Sequence, residues 1–336
     1  MFNSLANLNR VGKKNYKITK DFLRKNPCDL VFGWNMAGMG AGSYWAAREM
    51  GAIFCLYLGD AQPCLSFRVQ KPYTSIRLLE YLLERSAFKK ACFPGANCMP
   101  VITASQSLKQ YLLNNGAPLD RCQVILEGLP IREYPFTPFE RNFDQELRLF
   151  CQTDNAANRG VFVLLDALGR LMKEGADEFV LTLNMRKDCS LKEEVARFLK
   201  QEGLQEKVIL TDALELPFLP RMLKKQHVYI SASEKEEPFG PDHLEAMATG
   251  CAVISDKEGI SDLVKHKQTG ISFISGDAED LRGKVKKLMN NESLRLEIIK
   301  RARERVLKNH SFKTYLNQLE NFMAAVTERP FKQTPK

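Results

Sequence analysis

The sequence predicts an α/β protein with two doubly wound parallel-sheet domains. Three observations carry that expectation. Short, nearly continuous apolar runs alternate with helical stretches along most of the chain. These runs lack the in–out alternation of a sheet with one wet face, so both faces should be covered by helices. A length of 336 residues also exceeds one ordinary core and suits two.

Taken in order, DLVFGW (29–34), AIFCLYL (52–58), MPVITA (99–104) and QVILE (123–127) read as strands, with helices near 41–50, 74–91 and 105–115. Then comes PIREYPFTPFERNFDQE (130–146), with three prolines, many charges and no helical period. Proline fixes the backbone and withholds an N–H, so this stretch reads as a linker. Six more strands are expected: LRLFCQ (147–152), EFVLTLN (178–184), KVILTD (207–212), VYISAS (228–233), AVISD (252–256) and ISFIS (271–275). Two helical segments, ESLRLEIIKRARERVLKNH and SFKTYLNQLENFMAAV, close the chain. The expected domains are therefore 1–143 and 144–326, the second with its terminal helices bridging back, followed by a loose tail, 327–336.

Composition narrows the function. Hydrophobic residues make up 44% and charged residues 26%, as in globular proteins. There is no apolar run long enough for a membrane span, and MFNSLANLNRVGKK lacks the apolar core of a signal peptide. Nine cysteines without a CxxC pair suggest reduced thiols and a cytoplasmic setting. Four histidines without a Cys/His cluster argue against zinc, and no metal site is expected. The net charge of +9 is lopsided: residues 1–143 carry 18 Lys/Arg against 10 Asp/Glu. Much of the excess lies in RVGKKNYKITKDFLRK (10–25). A basic half suits a phosphate-rich partner or an anionic membrane surface, with a peripheral location on its cytosolic face; a plain solvated helix explains the charge equally well. No nucleic-acid module is evident.

The chemistry concentrates in VYISASEKEEPFGPDHLEAMATG, a buried strand, a break and a helix. Pro241 suits a first helical position and Gly250 a left-handed stop. The break falls at the carboxyl edge of the sheet, where open α/β sheets bind ligands. The helix start suits an anion. Glu237 and Glu245 would repel phosphate but accept hydrogen bonds from hydroxyls, so the pair fits the two ends of a nucleotide sugar. Alternatively, both are ordinary exposed glutamates.

The run EPFGPDHLEAMATGCAVISDKEGISDLVKHKQTGISFISGDAEDL resembles the donor-binding segment of family 4 retaining glycosyltransferases, which have the GT-B fold. The matching positions are Glu237, Phe239-Gly240, Leu244 to Gly250, Gly259, Asp262-Leu263-Val264, Gly270 and Gly276-Asp277. The resemblance implies two Rossmann-like domains facing across a cleft, and a metal-independent transfer from a nucleotide-diphospho-sugar to a glycan or lipid-linked acceptor. It further implies that Glu237 contacts the donor sugar and that the backbone of Phe239, Gly240, Pro241, Asp242, His243 and Leu244 surrounds sugar and diphosphate. Glu245 would hold the ribose. Arg159 stands where the family has Lys-Gly, and would neutralise the leaving diphosphate. The family's upstream Arg is absent, with Gln152, Asp154 and Asn155 nearby instead. Asp60, in LGDAQP, would orient or deprotonate the acceptor, although a loop-capping role fits as well. The family's opening strand and Gly-rich loop have no counterpart, so the first domain is expected to lack one or more βα units. A non-catalytic relative and a sugar-nucleotide epimerase remain alternatives. GMGAG (38–42), with Asp60 after the next strand, imitates a dinucleotide fingerprint in the wrong spacing, and close packing explains its glycines too.

Overall fold

The computed structural model describes residues 2–36, 38–59, 99–114, 117, 119, 121–136, 138, 146–153, 160–185, 189–212, 218–232, 240–256 and 263–328, the first eight of these as backbone only. It forms two compact units: residues 1–127 with 315–336, and residues 128–314.

In the first unit a long helix, α1 (Phe2–Lys25), precedes β1 (Leu30–Trp34), α2 (Gly42–Glu49) and β2 (Ile53–Leu58). Then follow β3 (Val101–Thr103), α3 (Gln106–Asn114) and β4 (Cys122–Val124). The four strands are parallel in the order β1-β2-β3-β4. Leu23, Leu56, Leu58, Val101, Leu108 and Leu112 share one buried core, so α1 and α3 cover the same face. The expected strand 99–104 shortens because Ser105 caps α3, its Oγ accepting the N–H of Leu108 at 3.0 Å. That cap turns the chain out of the sheet straight after Thr103. With β3 ended, the register of β4 stops at Val124, and the Ile125 N–H makes the last bond to β3, at the Thr103 carbonyl (3.0 Å). The expected helix at 74–91 lies outside the described residues.

The glycines of GMGAG have a structural use. Gly38 and Gly40 sit at φ +71° and +64°, where side chains are strained. Gly42 lets the α2 backbone touch α1: a Cβ there would lie 1.8 Å from the Gly12 carbonyl oxygen.

The second unit contains β5 (Leu147–Thr153), α4 (Gly160–Lys173), β6 (Phe179–Met185), α5 (Lys192–Glu202), β7 (Val208–Asp212), α6 (Phe218–Leu223) and β8 (Val228–Ser231). It continues with α7 (Pro241–Thr249), β9 (Ala252–Asp256), β10 (Ile271–Phe273), α8 (Ala278–Met289) and α9 (Glu292–Asn309). A last helix, α10 (Phe312–Glu328), runs from this unit into the first. The sheet is parallel, in the order β10-β9-β8-β5-β6-β7. Counted within the unit this is the 3-2-1-4-5-6 order of a Rossmann sheet, and its switch point lies between β5 and β8. Leu149, Leu181, Ile230 and Ile254 face one buried core, while Phe150, Tyr229 and Val253 face another shared with α7 and α9. Both faces are covered, which is why the strands read as continuous apolar runs.

Candidate functional site

Two adjacent strands set the site. From β5 and β8 the chain passes into residues 154–159 and 233–239. These carry Arg159, Glu237 and Phe239, which lie outside the described residues, as do Asp60, Asp154, Asn155, Gly259 and Asp262. The description resumes at Gly240, the extended N-cap of α7, with Pro241 in the first turn and Gly250 at φ +87° ending the helix. Leucine, alanine and methionine fill the middle of α7, and every residue from His243 to Thr249 is buried.

Glu245 is therefore a carboxylate in a covered helix, only 8% exposed. Its Oε1 accepts a 3.0 Å hydrogen bond from the Tyr134 hydroxyl. Its Oε2 is buried and has no partner among the described residues. Burial pushes its pKa up to about 7, Asp242 adds to the rise, and the Tyr134 bond opposes it. Tyr134 is itself driven upward by burial and by Glu245. Glu245 is thus a buried acceptor on the helix that follows β8, beside the switch point, with one oxygen bonded and the other without a partner among the described residues.

Tyr134 escaped the sequence reading because it lies inside the stretch read as linker. Pro130 and the single turn Ile131–Glu133 deliver it to α7. Arg303 of α9 fastens this turn down, donating to the carbonyls of Tyr134 (3.4 Å) and Ala248 and lying 5.2 Å from the Phe136 ring centre. Its cation also meets the carbonyl end of α7, the favourable end of the dipole.

His243 is another buried polar side chain of α7, its Nδ1 without a partner among the described residues. It is fully buried, 3.2 Å from the Ser255 hydroxyl through Nε2 and edge-on to Tyr229. Burial holds its pKa down at about 3, so the ring is neutral. Of the stretch from Phe239 to Leu244, the backbone from Gly240 onward is described and forms the first turn of α7.

A polar row also escaped the sequence reading. Gln152, Asn184 and Thr211 lie side by side near the carboxyl ends of β5, β6 and β7. Thr211 donates to Asn184, and Asn184 to Gln152, each at 3.2 Å. Their period in the strands matches Phe150, so the row borders the α7 face. Such residues are visible in sequence, but only strand order shows that they meet.

Several motif positions prove structural. A Cβ on Gly270 would meet Val264 at 2.7 Å and the Val253 carbonyl oxygen at 2.9 Å. Gly276 has φ +75°, and Asp277 caps α8 by accepting the N–H groups of Glu279 and Asp280. Among the described residues no three His, Cys, Asp or Glu side chains cluster as a metal site. In the first unit Glu127 is a second carboxylate whose pKa is raised by burial, bonded by the Tyr57 hydroxyl at 2.7 Å.

The family model for glycosyl transferases group 1 matches residues 136–305, half of the chain, which takes in Glu245 and the whole of α7. The chain belongs to that family. An uncharacterized glycosyltransferase of Methanocaldococcus jannaschii is 23% identical over 233 residues, 66% of this chain and 58% of the relative. The poly(ribitol-phosphate) alpha-N-acetylglucosaminyltransferase of Staphylococcus aureus is 25% identical over 134 residues, 39% of this chain and 27% of that protein. The chain thus spans less than two thirds of the length of either curated relative.

Solved structures agree on the fold. A glycosyltransferase from Rickettsia africae superposes with TM-score 0.74 at 18% identity, covering 96% of this chain and 82% of its own. Anabaena HepE, solved with UDP, gives 0.73 at 17%, covering 92% and 82%. The architecture is that of these GT-B glycosyltransferases, α/β with parallel sheets.

Proposed function

We propose that this group 1 glycosyltransferase moves a sugar from a nucleotide-diphospho-sugar to a glycan or lipid-linked acceptor, with retention of anomeric configuration, in cell-surface polysaccharide or glycolipid synthesis. The single observation that carries the donor assignment is the orphaned Oε2 of Glu245. A ribose diol offers two O–H donors to a carboxylate, and Glu245 has one oxygen without a partner among the described residues while Tyr134 fixes the other. The start of α7, one turn away, suits the diphosphate through its N–H groups and dipole. The UDP and UDP-glucose complexes of HepE support a uridine diphosphate donor.

In this reading Glu237 contacts the donor sugar, and the backbone from Phe239 to Leu244 surrounds sugar and diphosphate. Arg159 offsets the charge of the departing diphosphate, the step at which electrostatic stabilisation contributes most. Asp60 orients or deprotonates the acceptor hydroxyl. The chemistry needs no metal, and the enzyme works at the cytoplasmic side of a membrane.

Nucleotide release measured with and without a candidate acceptor tests turnover, and NMR of the product's anomeric proton tests retention. Acceptor-dependent release with an inverted product would remove the retaining assignment. Binding without any release would favour a non-catalytic relative, a reading to which Gln152, Asp154 and Asn155 in place of the family's upstream Arg give weight. Release of nucleotide with an isomerised sugar and no acceptor would favour an epimerase.

A further inference from the structure

The helix α1 combines two features that the donor site does not use. Between Arg10 and Lys25 it carries seven Lys/Arg and one acid, Asp21. It also exposes two large apolar side chains, Ile18 at 56% and Phe22 at 60%. They lie four residues apart, about 6 Å along one side of the helix.

The opposite side of α1 is occupied. Gly12 meets Gly42 backbone to backbone, and Leu23 enters the core. Asn15 donates to the Met39 carbonyl and Thr19 meets Ser43, both at 2.9 Å. Lys20 and Tyr16 both bond Glu49. These contacts fix the rotation of α1 about its axis. Ile18 and Phe22 consequently face away from α2, beside exposed Lys14 and Lys25, with exposed Lys17 completing the basic face. No described helix is long and apolar enough to cross a membrane.

We propose that this outer side of α1 docks on an anionic lipid bilayer, with Ile18 and Phe22 entering the headgroup–acyl boundary and Lys14, Lys17 and Lys25 meeting lipid phosphates. Charge complementarity selects this occupant. Ile18 and Phe22 form an adjacent apolar pair, and the lysines around them outnumber the single acid on this side, Asp21, which a surface rich in negative charge tolerates. A bilayer of anionic lipid answers both. The proposal stands on α1 alone and does not depend on the donor chemistry.

The test is flotation of the full chain with vesicles of 30% phosphatidylglycerol in phosphatidylcholine, against phosphatidylcholine alone. Binding to the anionic vesicles only, weakened by salt, is the expected result. Lys14→Ala/Lys17→Ala/Lys25→Ala should lower vesicle affinity about 100-fold, at roughly five-fold per lysine. Ile18→Ser/Phe22→Ser should lower it about 30-fold, since both side chains are already half exposed and gain only partial burial. Nucleotide titration of each preparation reports whether the donor site is intact, so that the two readings fail separately. Three results would overturn the proposal: no anionic-vesicle binding by a folded chain, equal binding to neutral vesicles, or the Ile18/Phe22 variant floating as well as wild type. Self-association abolished by Ile18→Ser/Phe22→Ser, without vesicle binding, would assign the face to a second copy instead.

Discussion

Protonation of Glu245 should control nucleotide affinity near neutral pH. Burial places its pKa at about 7 in the free protein, and only the ionised form accepts two ribose hydroxyls well. About half the molecules are then competent at pH 7, about nine in ten at pH 8 and about one in ten at pH 6. Affinity attributable to the diol should therefore rise with pH, by about ten-fold between pH 6 and 8, and binding should release a proton. The terminal phosphate of a nucleotide titrates nearby, so the clean measurement compares UDP with its 2′-deoxy analogue, which carries the same phosphates. At pH 8 a charge-assisted bond of ~1.5–3 kcal/mol should favour UDP by ten-fold or more. At pH 6 that preference should be about ten-fold smaller. In Glu245→Gln it should be small and flat across the range. A preference that ignores pH in the wild type, or that survives in a folded Gln variant, would refute the ribose assignment.

Other consequences follow from the same geometry. The Glu245 pKa lies above its unfolded value, so the folded chain holds the proton more tightly between about pH 4.5 and 7. Stability from this group is full below that window and is lost as pH rises through it. Glu245→Gln should thus be more stable than wild type at pH 8, by on the order of 2–3 kcal/mol, with the gain gone near pH 4; denaturant melts at both pH values check this. Arg303→Ala removes bonds to the Tyr134 and Ala248 carbonyls, so urea unfolding should show a loss of ~1.5–3 kcal/mol and the variant should bind nucleotide more weakly. Gly42→Ala forces a Cβ against the Gly12 carbonyl, and thermal melts should show a loss of about 3 kcal/mol or the absence of a folded first unit.

The strands were legible because apolar runs covered on both faces leave a local signature. All ten expected strands are present, and the errors are at ends such as MPVITA, where the Ser105 cap shortens the run. Pro241 and Gly250 likewise announce the limits of α7 locally. The partners of the candidate site were not legible, because they are distant in sequence. Tyr134 reaches Glu245 across 111 residues from a stretch whose prolines and charges read as linker. Gln152, Asn184 and Thr211 meet only through strand order. The glycines of GMGAG were open to a close-packing reading from the start, but the sequence does not name what they pack on: Gly42 accommodates Gly12, thirty residues before it.

We infer that Glu245 and the start of α7 form a nucleoside-diphosphate site. Calorimetric titration of the purified chain at pH 8 with UDP, GDP, ADP and NAD tests it most directly. Saturable binding of one nucleoside diphosphate is expected, weakened ten-fold or more in Glu245→Gln, with NAD silent. A folded chain that binds none of them, or that binds NAD alone, would contradict it.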